Sequence, residues 1–231
     1  MFLLQVNGDS MSEPQCVTLP DGSKEWRMNG GLHREDGPAK ILANGTQLWY
    51  HNGYIHREDG PAAIWADGTQ EWYRDRKLHR EDGPAVVWAD GAQEWYRDGK
   101  RHREDGPAVV WTDGAQVWHR NGKRHREDGP AAVWADGTQE WHRDGKRHRE
   151  DGPAIVRADG SQEWHRNGQI HRDDGGPAIV NADGSQFWYF NGKLHREDGP
   201  AVVLANGLEE YWEHGCRIIK SDHVQSSPRK P

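Results

Sequence analysis

Histidine, arginine, glutamate and aspartate stand side by side in a hexapeptide, HREDGP, that recurs along the chain. Seven verbatim copies begin at His33, His56, His79, His102, His125, His148 and His195, and an altered copy, HRDDGGP, begins at His171. An imidazole beside two carboxylates could transfer protons in general acid–base catalysis or bind a metal ion. Both kinds of chemistry have to be weighed against a structural role for the hexapeptide.

The spacing of the copies favours the structural role. Steps from His33 to His171 are 23 residues long, and the step to His195 is 24 because of a glycine added at Gly175 or Gly176. A fixed period of this size indicates a repeat array in which each unit contacts mainly its neighbours. With two strands per repeat, equivalent histidines lie about 10 Å apart, too far to chelate one metal ion together.

A catalytic centre is normally built once, from unlike groups held in a pocket, and not in eight near-identical copies. We therefore expect no catalytic, metal or cofactor site. We expect instead that arginine and the acidic residues of adjacent units form a ladder of ion pairs, while histidine packs against or caps the connection between units.

Each repeat contains two short runs rich in β-branched and aromatic residues, with glycine turns between them. Asp113-Gly114 separates the runs of one repeat, and Asn121-Gly122 closes its second run. Both dipeptides predict two-residue type I′ hairpin turns. At Asp75-Arg76 the second signal is broken, so either arginine adopts an unfavourable φ or the turn changes type. We predict an all-β fold, an elongated, twisted array of β-hairpin repeats.

Two columns of tryptophan follow the repeats. The second-strand column predicts a buried aromatic spine and comprises Trp26, Trp49, Trp72, Trp95, Trp118, Trp141, Trp164 and Trp188. The first-strand column comprises Trp65, Trp88, Trp111 and Trp134, and elsewhere becomes Leu42, Arg157, Asn181 and Leu204, a tolerance of charge that predicts partial exposure. A two-residue first turn places Trp65 and Trp72 on one sheet face, whereas a bulge of one residue reverses one strand.

Composition restricts the class of protein. Only 33% of the residues are hydrophobic and the net charge is −7, which would indicate disorder if 13 regularly spaced tryptophans did not favour a folded array. Net acidity disfavours nucleic-acid binding. With two cysteines, no secretion signal and no apolar run long enough to span a membrane, we expect a cytoplasmic protein, in the host-cell cytoplasm if the chain is viral.

The chain divides into residues 1–18 as an N-terminal cap, 19–217 as an array of about nine units, and 218–231 as a disordered tail. Open sheet edges invite pairing with another chain, so an incomplete cap would favour an end-to-end homodimer.

One repeat also resembles the MORN repeat family, whose units have a similar length. Trp95, Gly99, Lys100 and His102 stand in an order comparable to the family's aromatic residue, glycine-lysine pair and histidine-glycine element, although HREDGP replaces that last element. The resemblance covers residues 19–217 and extends to variants in bacteriophages, large DNA viruses and bacteria. It implies a twisted array of hairpins that serves as a scaffold, a protein-binding surface or a lipid-binding surface, and it implies no enzyme activity.

From these observations we expect a non-enzymatic protein-binding module that acts by scaffolding or steric occlusion. Aromatic residues are enriched at interaction hot spots, so the predicted partner-binding residues are Trp65, Trp88, Trp111 and Trp134, with His119, His142 and His165, which replace tyrosines of other repeats. The structural alternative is that the tryptophans fill the core of a thin sheet and the histidines are half-exposed strand residues.

Narrower hypotheses name the partner. One is a phage or viral inhibitor of a host defence protein, and another is an immunity protein against a toxin. Alternatives from other classes are binding to a lipid surface, which would need basic or amphipathic patches, and binding of glycans over the tryptophans, for which no pair of carboxylates stands out as catalytic.

Overall fold

The computed structural model describes residues 13–219, and every regular element among them is a β-strand. The predicted all-β array of hairpin repeats is confirmed. The chain divides after Lys123 into two compact units, residues 1–123 (unit 1) and 124–231 (unit 2). No helix long and apolar enough to cross a membrane occurs within residues 13–219. Most of the predicted N-terminal cap and C-terminal tail lies outside the described residues.

Most strands are only two residues long, because glycine turns interrupt the chain at short intervals. Unit 1 contains β1 (Gln15–Thr18), β2 (Lys24–Met28), β3 (Gly31–Leu32), β4 (Lys40–Ile41), β5 (Gln47–Leu48), β6 (Tyr50–His51), β7 (Tyr54–Ile55), β8 (Ala63–Ile64), β9 (Gln70–Glu71), β10 (Tyr73–Arg74), β11 (Lys77–Leu78), β12 (Val86–Val87), β13 (Gln93–Glu94), β14 (Tyr96–Arg97), β15 (Lys100–Arg101), β16 (Val109–Val110), β17 (Gln116–Val117) and β18 (His119–Arg120). The division between the units falls within β19 (Lys123–Arg124).

The same four-strand pattern continues in unit 2, where the described chain ends in two longer strands. Unit 2 contains β20 (Ala132–Val133), β21 (Gln139–Glu140), β22 (His142–Arg143), β23 (Lys146–Arg147), β24 (Ile155–Val156), β25 (Gln162–Glu163), β26 (His165–Arg166), β27 (Gln169–Ile170), β28 (Ile179–Val180), β29 (Gln186–Phe187), β30 (Tyr189–Phe190), β31 (Lys193–Leu194), β32 (Val202–Val203), β33 (Glu209–Glu213) and β34 (Cys216–Ile218).

The first hairpins of successive repeats join side by side into one antiparallel sheet within each unit. In unit 1 the strand order is β1-β2-β4-β5-β8-β9-β12-β13-β16-β17. In unit 2 it is β20-β21-β24-β25-β28-β29-β32-β33. The second hairpins, such as β10-β11 and β26-β27, form separate two-stranded ladders.

The first turn of each repeat is longer than predicted. Trp65 N–H donates to the Thr69 carbonyl, so Ala66, Asp67 and Gly68 form a three-residue loop. Only Gly68 has a positive φ, 95°, while Asp67 Oδ1 accepts the N–H of Thr69. Three-residue hairpin loops commonly place glycine in this conformation. The predicted two-residue type I′ turn is therefore wrong at this position.

The second turn of each repeat is the predicted type I′ turn. Asn121 and Gly122 both have positive φ, 53° and 82°. Asp75 and Arg76 keep the same turn, with φ of 50° and 63°. Of the two alternatives at this break in the pattern, the structure has the one in which arginine adopts a left-handed backbone, which is unfavourable for a residue with a Cβ.

The longer first turn shifts the register by one residue. Ala63 lies opposite Glu71, whereas a two-residue turn would have placed it opposite Trp72. Successive residues of a strand point to opposite faces, so Glu71 shares a face with Trp65, and Trp72 points to the other. The prediction that both tryptophan columns share one face is wrong. In each unit we call the face of the first-strand column the indole face and the opposite one the arginine face.

Alanine and valine form most of the core. The alanine after each hexapeptide proline is completely buried, at Ala39, Ala62, Ala85, Ala108, Ala131, Ala154, Ala178 and Ala201. Repeats are also joined by hydroxyl groups, as where Thr46 Oγ1 accepts the N–H of Ala66 at 3.1 Å. The second-strand tryptophans, predicted as a buried spine, are half-buried except for the buried Trp188.

Candidate functional site

The arginine of the hexapeptide covers the second-strand tryptophan on the arginine face. The Arg80 guanidinium carbon lies 4.2 Å from the centre of the Trp72 ring. Its Nε donates to Asp82 Oδ1 at 2.9 Å, and its Nη1 donates to the carbonyl of Pro84 at 3.4 Å. Equivalent stacks occur at Arg34, Arg57, Arg103, Arg149, Arg172 and Arg196. Arginine, aspartate and proline of the hexapeptide thus act together as one clip.

The glycine of the hexapeptide leaves space for this guanidinium. A Cβ on Gly83 would lie 2.9 Å from Arg80 Cζ, closer than ordinary van der Waals contact. In the altered copy, Gly176 faces Arg172 in the same way, so Gly175 is the inserted residue. Gly175 has a φ of 79°, and its carbonyl accepts the Trp188 indole N–H at 3.1 Å. The insertion is thereby accommodated without loss of the clip.

The histidine of the hexapeptide connects its repeat to the next. His102 Nδ1 accepts the backbone N–H of Asn121 at 3.2 Å, and His33 Nδ1 accepts that of Asn52 at 3.0 Å. In His33 the Nδ1 that accepts carries no proton, so the neutral ring holds its proton on Nε2. The expectation that histidine caps the connection between repeats is confirmed.

The glutamate of the hexapeptide makes an exposed ion pair with an arginine of the preceding hairpin. Glu81 accepts from Arg74 at 2.7 Å, and Glu150 accepts from Arg143 at 3.1 Å. The two partners of each such pair are seven residues apart in sequence, and the arginine and aspartate of each clip are only two residues apart. The predicted ladder between adjacent units is therefore wrong for these groups, since their ion pairs are local and histidine makes the contact between repeats.

One group of potential metal ligands occurs among the described residues. A ligand atom from each of His33, Glu35 and His51 lies within 4.8 Å of the others, and His51 takes the place of Arg74 and Arg97 in later repeats. A histidine nitrogen binds a metal ion through its lone pair. In His33 the lone pair of Nδ1 already accepts the backbone N–H of Asn52, and Nε2 carries the proton. A metal ion here would have to displace a contact that other repeats share.

In unit 1 the indole face carries two exposed tryptophans. Trp65 and Trp88 are 40% and 43% exposed, and Trp111 is half-buried. The predicted partial exposure of this column is confirmed, and Trp134 of unit 2 is likewise half-buried.

A row of glutamates beneath these indoles was missed by the sequence analysis. Glu94 is only 6% exposed and accepts from the Trp88 Nε1 at 3.3 Å, the Tyr96 hydroxyl at 2.7 Å and the Arg101 Nε at 2.9 Å. Three donors around one carboxylate satisfy a buried charge and hold the aromatic donors in place. The recurring tripeptide of glutamate, tryptophan and tyrosine or histidine was the available signal.

In unit 2, histidine takes the place of the tyrosine donor. His142 Nε2 lies 2.9 Å from Glu140, and this hydrogen bond lowers the pKa of Glu140 to about 2, against the opposing effect of burial. His165 and Arg157 lower the pKa of Glu163 to about 2 in the same way. His119, His142 and His165, predicted as partner-binding or half-exposed, are buried, and His142 and His165 hold the glutamates of the indole face.

No protein-family model matches the chain, and no curated protein sequence matches it. The MORN-like resemblance stays a prediction. A proposal on function therefore depends on the fold and on the geometry of the two faces.

Proposed function

We propose that the chain is a non-enzymatic protein-binding module whose indole face contacts a protein partner and which acts by scaffolding or steric occlusion. The observation that carries the proposal is the exposure of Trp65 and Trp88 on one face of unit 1. Tryptophan contributes strongly to interaction hot spots because a large apolar area becomes buried on binding.

The hydrogen bonds beneath the indoles favour the same conclusion. The Trp88 ring is held by Glu94, whose own position is set by Tyr96 and Arg101. A side chain that is already ordered loses little conformational entropy on binding, so its burial contributes more to affinity. We expect the indole face to bind as a preformed surface.

The contacts of the hexapeptide support the non-enzymatic part of the proposal. In each clip, arginine and aspartate bind each other, and in most repeats histidine binds the backbone of the next repeat. These are the groups whose chemistry suggested catalysis or metal binding. Their use in packing leaves the indole face as the site that the geometry supports best.

Capture of a partner tests the proposal. The tagged full chain, the variant Trp65→Leu/Trp88→Leu and the control Phe190→Leu would be used to purify binding proteins from cells of the source or its host. Phe190 is also exposed but lies between the rings of His171 and His195. We expect the native chain and the control to capture a protein in stoichiometric amount, and the double variant to lose it. Capture of the same protein by the double variant contradicts the proposal.

The identity of the captured protein tests the narrower hypotheses. A host defence component would support the phage or viral inhibitor, and a toxin would support the immunity protein. Both cysteines, Cys16 and Cys216, are free, which suits the reducing cytoplasm that we propose as its location. Flotation with anionic liposomes separates the lipid alternative, which the carboxylates of the indole face disfavour.

A further inference from the structure

Aspartates line the rim of the indole face in unit 1. Asp67, Asp90 and Asp113 lie in the loops that directly follow Trp65, Trp88 and Trp111, and all three are exposed. Each Oδ1 accepts a backbone N–H within its own loop, at 2.8–2.9 Å. The hydrogen bond from Thr69 lowers the pKa of Asp67. The first-strand tryptophans of unit 1 are thus followed, repeat by repeat, by exposed carboxylates.

The second-strand tryptophans of unit 1 differ from Trp65 and Trp88 in whether they carry a cation. On the arginine face of unit 1, second-strand tryptophans such as Trp72 and Trp95 are covered by arginine. Among the described residues of that unit, no arginine or lysine covers Trp65 or Trp88, and each of these tryptophans is followed two residues later by an exposed aspartate. An indole ring attracts a cation by its quadrupole, and a nearby carboxylate adds to the attraction.

Unit 2 contains an example of this arrangement within the chain itself. The Arg124 guanidinium carbon lies 5.4 Å from the centre of the Trp134 ring, and its Nη1 lies 3.4 Å from Glu140. One repeat later the column itself changes to arginine, and Arg157 binds Glu163. A guanidinium group therefore fits the chemistry of the indole face.

The spacing of the repeats indicates which ligand conformation would place such cations over successive tryptophans. Neighbouring tryptophans of the column are two strands apart, which corresponds to about 10 Å. A polyproline II helix has three residues per turn and rises ~3.1 Å per residue, so every third side chain lies on one side at intervals of ~9 Å. The two periods differ by only about 1 Å per step.

We infer that the indole face of unit 1 binds an extended peptide segment with arginine or lysine at every third residue. Successive cations lie over Trp65, Trp88 and Trp111, and each is paired with the aspartate of the adjoining loop. This inference rests on the proposed function and specifies the chemistry of the partner's binding segment.

Titration of the full chain with synthetic peptides tests the inference. One peptide repeats Arg-Pro-Pro four times, and a second has the same composition with its arginines grouped together. We expect the regular peptide to bind roughly tenfold more tightly than the grouped one, and its binding to weaken with added salt. Equal affinity of the two peptides, or no binding of either, would overturn the inference.

A matched pair of charge variants locates the binding. Asp67→Asn/Asp90→Asn/Asp113→Asn removes three charges but preserves the loops, since Asn44 already fills this position and its Oδ1 accepts the N–H of Thr46 at 3.0 Å. The control Glu58→Gln/Glu81→Gln/Glu104→Gln removes the same charge from exposed hexapeptide residues. We expect the rim variant to lose roughly tenfold in affinity and the control to lose much less. Equal losses of affinity would show that binding depends only on the net charge of the chain, and they would overturn the inference.

Two further measurements separate the alternatives. Trp65→Leu/Trp88→Leu is expected to abolish peptide binding with an unchanged circular dichroism spectrum, and unaltered binding would overturn the inference. A neutral β-linked oligosaccharide is expected not to bind; tryptophan-dependent binding that survives the aspartate replacements would favour a glycan and overturn it. If the peptides fail but a protein is still captured through Trp65 and Trp88, this inference falls and the proposed function stands.

Discussion

The Nδ1 atom of His102 accepts the backbone N–H of Asn121 and so joins the hexapeptide of one repeat to the second turn of the next. The same contact recurs at His33, His79, His125, His148, His171 and His195. Because it crosses from repeat to repeat, it stabilises the array itself as well as the single hairpin.

Replacement of this histidine should weaken the array. His102→Phe keeps an aromatic ring but removes the acceptor, so that the N–H of Asn121 loses its partner. We expect a loss of about 1–2 kcal/mol in the free energy of unfolding, measured by urea denaturation. Glu58→Gln, at an exposed position of another repeat, serves as the control and should change stability by less than about 0.5 kcal/mol. A His102→Phe variant as stable as the control would show that the histidine contact contributes nothing.

The close approach of Gly83 to Arg80 should appear as coupling between the two positions. Gly83→Ala introduces a Cβ about where the guanidinium lies, and we expect a loss of about 1–3 kcal/mol. Arg80→Ala removes the obstacle, so the glycine replacement should cost much less in that background. A double-mutant cycle from urea denaturation measures this difference, and additive effects would refute the steric explanation.

One repeat of unit 1 lacks the hydroxyl group that joins other repeats, and a substitution that restores it should be stabilising. Thr69 Oγ1 accepts the N–H of Ala89 at 3.2 Å, but at the equivalent position of the next repeat Ala92 has no hydroxyl to offer the N–H of Thr112. Ala92→Ser should therefore raise the free energy of unfolding by about 0.5–1.5 kcal/mol. Ala85→Ser buries a hydroxyl in the alanine core and should be destabilising. If Ala92→Ser lowers stability as Ala85→Ser does, the hydroxyl contact between repeats is not stabilising.

The half-buried carboxylates of unit 2 should make stability depend on pH in the acid range. Glu140 and Glu163 have pKa values of about 2 in the folded chain, below the usual value of 4.5. Their contribution is fully present above about pH 4.5 and is lost as the pH falls through about 2, because protonation then favours the unfolded chain. Thermal denaturation from neutral to acid pH should show this loss, and Glu140→Gln/Glu163→Gln should flatten the curve. An equally steep curve in the double variant would assign the acid sensitivity to other groups.

The sequence predicted those features of the fold that depend on local backbone preference. Asn121-Gly122 required a type I′ turn because both residues tolerate positive φ. Asp67-Gly68 carried a similar signal but forms a longer loop, since the Asp67 side chain binds the N–H of Thr69 and only the glycine needs a positive φ. The one additional residue in this loop places the second-strand tryptophans on the face opposite to the one predicted.

The candidate site was predicted less completely because it depends on contacts between strands. Partial exposure of Trp65 and Trp88 followed from the tolerance of charge in their column. The Glu94 cluster did not follow, because the shifted register brings this carboxylate beneath Trp88. The clip of Arg80 over Trp72 depends on the path of the chain between them, and the constant interval of eight residues was the only sign of it.

Oxidative footprinting of the full chain, alone and bound to its captured partner, tests the central claim most directly. Hydroxyl radicals modify accessible indoles, and mass spectrometry assigns the modification to individual tryptophans. The indole face as binding surface predicts that Trp65 and Trp88 become protected in the complex, whereas Trp72 and Trp95, which arginine covers in the free chain, change little. Undiminished reactivity of Trp65 and Trp88 in a stoichiometric complex would place the partner elsewhere and contradict the claim.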